Sequence, residues 1–274
     1  REYEDLTERT ALRRLLPTAG RRLLDIGAGF GRLSEFYAGY DEVVLLDYSR
    51  SLLREAQTRL GRDGRIRYVA ADFYAMPFAE SAFDAAMMVR VIHHVEDVPA
   101  LLDQVARVLC QDGNYVLEFA SKRHLKSILR YLSRRQQWNP FDQTPYEFVE
   151  MNFNFHPSWM RAHLLGAGFH VKRQLTVSHF RLAPLKRLVP ARILASFDSV
   201  FQPTGDWWQL TPSVFVLSTA GKPNGAPFSH HLFCCPACSA TRLDESHEAI
   251  ACTSCGRRWP INDGIYDFKT TLPA

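Results

Sequence analysis

The chain has 274 residues, 46% hydrophobic and 23% charged, an ordinary globular composition that suits one large domain plus a small one. No apolar run approaches the roughly 18 residues of a spanning helix, and no basic-then-apolar secretory signal follows Arg1, so the cytoplasm is the expected compartment. The net charge of +4 hides an uneven spread: residues 1–120 carry −4, residues 121–192 carry +10 and residues 193–274 carry −2. That basic island must face a partner or be solvated.

Residues 4–16 have helical spacing and end at Pro17. RRLLDIG (21–27) is a short apolar strand and RLSEFYAG (32–39) is helix-like. EVVLLDYS (42–49) reads as a strand and RSLLREAQTRL (50–60) as a helix. IRYVAADF (66–73) and FDAAMMVR (83–90) are strands, VPALLDQVARVL (98–109) an amphipathic helix and NYVLEFA (114–120) a fifth strand. Strands alternating with helices of this length predict a parallel sheet covered on both faces.

After Ala120 the rhythm changes. KRHLKSILRYLSRR (122–135) puts Leu125, Ile128, Leu129 and Leu132 on one helical face and basic groups on the other. An aromatic-rich, irregular stretch follows, with Trp138, Phe141, Tyr146, Phe148, Phe153 and Phe155. Pro157 starts a helix, 169–180 is a strand, 183–201 a second basic amphipathic segment and SVFVLSTA (213–220) a last strand. GKPNGAP (221–227) has linker composition. Two domains are expected: 1–222, with 121–200 as a basic and aromatic insert plus late elements, and 223–274.

Gly27, Gly29 and Gly31 follow the first strand at spacing two. Glycine lets the backbone turn sharply and approach a ligand, and a following helix aims its N-terminal N–H groups at that ligand. Asp47 ends the second strand, at the distance from Gly27 where a carboxylate can accept ribose hydroxyls. Asp72 ends the third strand, where an acid can accept from an adenine amino group. A glycine turn alone is only a strand–helix turn, and a lone aspartate at a strand end is commonly a helix cap. Jointly they describe one crevice at the carboxyl edge of a parallel sheet.

Asp25–Gly31, Asp47, Asp72-Phe73 and FDAAMMVRVIHHVED resemble class I S-adenosylmethionine (SAM) dependent methyltransferases, with the tone of those of quinone biosynthesis. The resemblance covers residues 20–120 and extends more loosely to HPSWMRAHLLGAGFHV. It implies a Rossmann-like α/β fold with a seven-stranded, mostly parallel sheet and helices on both faces. It also implies that Gly27, Ala28, Gly29 and Gly31 pass under the methionine part of SAM, with Asp25 near its amino group. Asp47, followed by Tyr48, would hold the ribose, and Asp72 and Phe73 would flank the adenine. Arg90 would border the space between cofactor and acceptor. A dinucleotide fingerprint instead wants glycine at the sixth position from Gly27, which is Arg32.

Methyl transfer is an in-line displacement, so positioning carries much of the rate. A hydroxyl or activated-carbon acceptor also needs a base, for which His93, His94 and His156 are the candidates; each could equally be a cap or a packed ring. The place where amine-modifying relatives carry Asn-Pro-Pro-aromatic reads Val89-Arg90-Val91-Ile92, which argues against planar-amine chemistry. The acceptor is expected to be a small molecule or lipid-linked. The basic, aromatic insert leaves two further partners open: RNA, or an anionic membrane met peripherally. A third reading is a non-catalytic SAM-binding subunit that activates another methyltransferase. The oligomeric state is not legible.

Five of the six cysteines fall after Phe233. Cys235-x-x-Cys238 and Cys252-x-x-Cys255 supply four thiolates to one tetrahedral Zn²⁺, with iron or a lost metal as alternatives. The separation of the two pairs is close to that of zinc patterns. Cys234 is read as a spare that points away. A domain of this size builds little core, so metal would supply much of its folding energy. CGRRWPINDGIYDF resembles the small zinc-ribbon activator subunit of several tRNA, rRNA and release-factor methyltransferases. That resemblance implies a structural zinc ribbon that binds and stabilises a catalytic domain or shapes its acceptor side.

Overall fold

The computed structural model describes residues 2–61, 63–222 and 225–273. In chain order it contains α1 (Glu2–Leu15), β1 (Gly20–Ile26), β2 (Tyr40–Asp47), α2 (Arg50–Leu60), β3 (Ile66–Ala70), β4 (Phe83–Met88), α3 (Val98–Val108) and β5 (Leu109–Ala120). Then come α4 (Leu125–Leu132), β6 (Tyr146–Val149), β7 (Asn152–Asn154), α5 (Pro157–Gly166), β8 (Phe169–Val177), α6 (Ala183–Leu188), α7 (Ala191–Phe201) and β9 (Ser213–Ala220). Four short strands close the chain: β10 (Leu243–Glu245), β11 (Ala249–Cys252), β12 (Arg258–Asn262) and β13 (Ile265–Asp267). Of the expected linker, Pro223 and Asn224 lie outside the described residues.

Contacts divide the chain into two compact units, and β5 has its first half in one and its second half in the other. The first unit comprises Pro17–Met88, Pro99–Asn114 and Ala220–Ala274. Here β1 pairs in parallel with β2 and β4, and β2 with β3. Leu23, Leu24, Ile26, Val44 and Leu45 have no exposed surface, as befits parallel strands covered on both faces.

The expected count of seven strands needs correcting. In this unit alone eight strands are continuous, in the order β10-β11-β12-β13-β3-β2-β1-β4. The edge of β3 is not blunted; β13 adds to it in parallel, with Ile265, Tyr266 and Asp267 in register with Tyr68, Val69 and Ala70. The hairpin that delivers β13 turns on Asp263 and Gly264, both at positive φ (53° and 78°). An Asp-Gly pair in that conformation matches the twist of the flanking strands.

The helix expected over 32–39 is also absent. The glycine loop is followed by turns and a single 3₁₀ turn at Ser34–Phe36. Two contacts hold the segment in this form. Tyr37 is pinned by its hydroxyl to Asp25, and a side chain at Gly39 would meet the Thr18 carbonyl at 1.9 Å.

The second unit comprises Arg1–Leu16, Val89–Val98 and Tyr115–Thr219. Its strands follow the order β5-β9-β8, and β6 and β7 form a separate hairpin inside the aromatic stretch. Helix α1 packs on α7 through Tyr3, Leu194 and Ala195. Beneath that contact lies a buried polar network: the Tyr3 hydroxyl donates to Asp198 (2.7 Å), as does the His179 amide (2.7 Å). The basic segment 183–201 is broken at Val189-Pro190 into α6 and α7, since proline cannot continue a helix.

Candidate cofactor and metal sites

Leu46 and Asp47 organise the cofactor-type loop. The amides of Gly27 and Ala28 donate to the Leu46 carbonyl at 2.7 and 3.1 Å, which folds the chain back over the end of β1. One Asp47 oxygen accepts from the Gly29 amide (2.8 Å) and the other from the Ser49 amide (2.8 Å). A single carboxylate thus stitches the glycine loop to the loop after β2. A carboxylate has about four acceptor sites, so Asp47 keeps capacity for ribose hydroxyls. Gly29 lies at φ 55°, and a Cβ there would meet nothing within 4 Å, so the loop is open at its centre. At Gly31 (φ 70°) a Cβ would crowd the Leu60 side chain at 3.0 Å; that glycine serves packing.

Asp25 is buried, and the Tyr37 hydroxyl donates to it at 2.5 Å. Burial pushes its carboxyl up to about 7, against the pull of that hydrogen bond and of Arg32. A cation arriving beside it, such as an ammonium group, would restore the charged form. Asp72 is exposed and caps the 3₁₀ turn Phe73–Ala75 by accepting from the Tyr74 amide (2.9 Å). Phe73 is half-buried against the Tyr74 ring, and Tyr48 is exposed. Asp25, the glycine loop, Asp47, Tyr48, Asp72 and Phe73 therefore lie at or just beyond the carboxyl ends of β1, β2 and β3. These residues fit an adenosyl ligand carrying an ammonium group: a glycine cradle, a ribose-type acid, an adenine-type acid and a buried carboxyl.

The remaining expected residues lie in the other unit. Arg90 sits at φ 61°, strained for a residue with a side chain. Its guanidinium donates twice to Glu8 (2.8 and 2.6 Å), and its amide donates to Glu118 (2.9 Å). Ser213 donates to the other Glu118 oxygen (2.7 Å). Burial pushes the Glu118 carboxyl up, aided by the charge of Glu8. Glu8 and Glu118 were not anticipated; an acid inside the apolar strand NYVLEFA was the available signal.

The three histidines separate by role. His156 caps α5, its Nδ1 accepting from the Ser158 amide (3.2 Å). His94 pairs through Nδ1 with the Met151 carbonyl (3.1 Å). His93 packs against His94 with the rings tilted and their centres 4.0 Å apart, and burial, then the charges of His94 and Arg90, pushes it down to about 4. His93 is therefore a neutral imidazole at pH 7.

The sulfur atoms of Cys235, Cys238, Cys252 and Cys255 lie within 4.8 Å of one another, and the cross pairs 235–255 and 238–252 are 3.6 Å apart. Tetrahedral zinc with sulfur at about 2.3 Å needs sulfurs roughly 3.8 Å apart, so the donor set fits. Cys234 points away and donates to the Phe78 carbonyl (3.0 Å).

The C-terminal segment that carries these cysteines is anchored to its unit at several further points. The amides of Ala79 and Cys234 bond the carbonyls of Leu232 and Pro77 at 2.9 and 3.0 Å. Phe233 stacks on Phe78, and buried Trp259 lies against Phe268. Asp267 pairs with Arg50 (3.1 Å), and Lys269 donates to the Tyr48 carbonyl (2.7 Å) while lying over the Tyr48 ring. The end of this segment thus touches the loop that follows Asp47.

Comparison with known proteins agrees with this geometry. A family described as a methyltransferase domain matches residues 24–117. A demethylmenaquinone methyltransferase of Clavibacter sepedonicus is 35% identical over 111 residues, covering 40% of this chain and 45% of the relative. A ubiquinone/menaquinone biosynthesis C-methyltransferase of Shewanella sp. (strain ANA-3) is 29% identical over 167 residues, covering 55% and 66%. The chain thus spans less than two thirds of the length of either relative. A chain from the complex between the Haloferax volcanii Trm112 methyltransferase activator and a putative methyltransferase superposes with a TM-score of 0.56 at 16% identity, covering 80% of this chain and 91% of that one. Residues 24–117 thus match a methyltransferase domain, and the wider chain shares the fold of solved methyltransferases.

Proposed function

We propose that the chain transfers a methyl group from SAM to a small-molecule or lipid-linked acceptor. The observation that carries this reading is the Asp47 carboxylate bridging the Gly29 and Ser49 amides beside an open glycine cradle. When bound, SAM would supply an electrophilic methyl group on a good leaving group. Asp25 would hold its ammonium, Gly27, Ala28, Gly29 and Gly31 its methionine part, Asp47 with Tyr48 its ribose, and Asp72 with Phe73 its adenine. Arg90, tied to Glu8, would act by shaping the chain after β4. The base for such an acceptor would come from His93, His94 or His156. The two relatives are named for quinone methylation, one of them as a C-methyltransferase, which favours an activated ring carbon as the methylated atom.

The division into a catalytic domain at 1–222 and a zinc ribbon at 223–274 belongs to the same reading. Cys235, Cys238, Cys252 and Cys255 would hold a structural Zn²⁺, closed to substrate because all four positions are protein thiolates. The ribbon would stabilise the catalytic domain: β13 completes the β3 edge, and Asp267 and Lys269 brace the loop after Asp47. A second reading, an RNA methyltransferase, is favoured by the +10 charge of residues 121–192. Label transfer separates the two. Methyl-tritiated SAM and the zinc-loaded chain are incubated with cell extract, which is then fractionated. Label in lipid or small-molecule fractions is expected; label in RNA selects the second reading, and label in none sinks both.

A further inference from the structure

Helix α4 faces the wrong way for a core helix. Its exposed side carries Leu125, Leu129 and Leu132, which are 54%, 57% and 67% exposed, while Ser127 on the opposite side is buried. An amphipathic surface helix normally turns its leucines inward. Lys126 and Arg130 flank the same exposed stripe.

Neighbouring segments repeat this pattern in the same unit. The amide of Leu125 donates to the Leu210 carbonyl (2.8 Å), which places the start of α4 beside Trp207 and Trp208, 79% and 57% exposed. The entry to α6, just after Arg181, belongs to the same unit. That entry exposes Leu182, and α6 ends on Leu188, the most exposed of these at 83%, next to exposed Arg187.

We propose that α4, α6 and the Trp207-Trp208 turn form a docking surface for an anionic lipid bilayer. Leucines and indoles would enter the acyl boundary while lysines and arginines meet the headgroups, the composition expected of helices that lie in an interface. The net +10 of residues 121–192 complements an anionic leaflet. Among the described residues no helix is long and apolar enough to cross a membrane, so this contact lies on the surface of the bilayer. RNA would also meet the cations, but it offers nothing to an aliphatic stripe; stacking calls on aromatics alone. The surface deepens the lipid-acceptor reading, yet vesicle binding is read without methyl transfer, so either can fail alone.

The test is co-sedimentation of the zinc-loaded chain with phosphatidylcholine vesicles, with and without about 30% phosphatidylglycerol. Binding to the anionic vesicles is expected, with roughly tenfold loss on raising salt from about 50 to about 500 mM. Leu132→Asp with Leu188→Asp should weaken it roughly tenfold, because two apolar anchors become charged. Lys126→Glu with Arg130→Glu should do the same, and SAM affinity by calorimetry should be unchanged in both variants. Absence of vesicle binding, equal binding to neutral vesicles, or wild-type binding by the leucine variant would overturn the proposal. So would binding of an RNA pool without vesicle binding, or a dimer that the leucine variant dissolves without any vesicle binding.

Discussion

Asp25 is held in a form that costs the folded state stability at neutral pH. Its native pKa of about 7 lies above the ordinary aspartate value, so the folded chain binds this proton more tightly than the unfolded chain. The contribution of this group is intact below about pH 4 and is lost as pH rises through about 7, on the order of a few kcal/mol for so buried a carboxyl. Asp25→Asn keeps an acceptor for the Tyr37 hydroxyl and removes the charge. It should raise the melting temperature by several degrees at pH 8, and the gain should shrink towards pH 5. A gain equal at both pH values would show that burial of charge is not the cause. The same variant should bind SAM more weakly, since the carboxylate is the proposed ammonium partner. At this scale the sequence was informative about position: Asp25, Asp47 and Asp72 lie at or just beyond the ends of β1, β2 and β3, and the four cysteine sulfurs lie together. Partners distant in sequence were not legible. Arg90 meets Glu8 across 82 positions, and Ser213 meets Glu118 across 95, and spacing along the chain carries no trace of either pair.

At the scale of elements, the cysteine-bearing C-terminal segment and β3 share one sheet. Zinc would fix the two cysteine turns, these would fix β11 and β12, and the Asp263-Gly264 turn then lays β13 along β3. Cys238→Ser should release zinc, lower the melting temperature, and speed hydrogen exchange at the β3 amides of Tyr68 and Ala70. If the variant keeps stoichiometric zinc, or if β3 stays protected, the coupling is absent. Periodicity located β1–β5, β8 and β9, because each is a short apolar run between turn signals, but not β6 and β7, which lie in the stretch read as irregular. It failed at 32–39, where helical spacing yields to three positive-φ glycines and the Tyr37–Asp25 bond. For α4 the leucine face was visible but its direction was not, since that depends on what packs against it; here it points to solvent.

For the whole molecule, the two units divide the chemistry. The unit containing β1–β4 and the ribbon holds every residue proposed for SAM and zinc, while the other holds Arg90, the histidines and the basic, leucine-bearing surface. The first half of the chain was readable because a cofactor of fixed shape demands fixed residue types at strand ends. The second half meets an acceptor whose shape the sequence does not encode so rigidly. The account rests above all on SAM binding, and isothermal titration of the zinc-loaded chain with SAM tests it most directly. Saturable one-to-one binding is predicted, and Asp47→Ala should weaken it by about tenfold to a hundredfold, the loss expected when hydrogen bonds to a charged group disappear. Absence of binding to the wild-type chain, or unchanged affinity in Asp47→Ala, would contradict it.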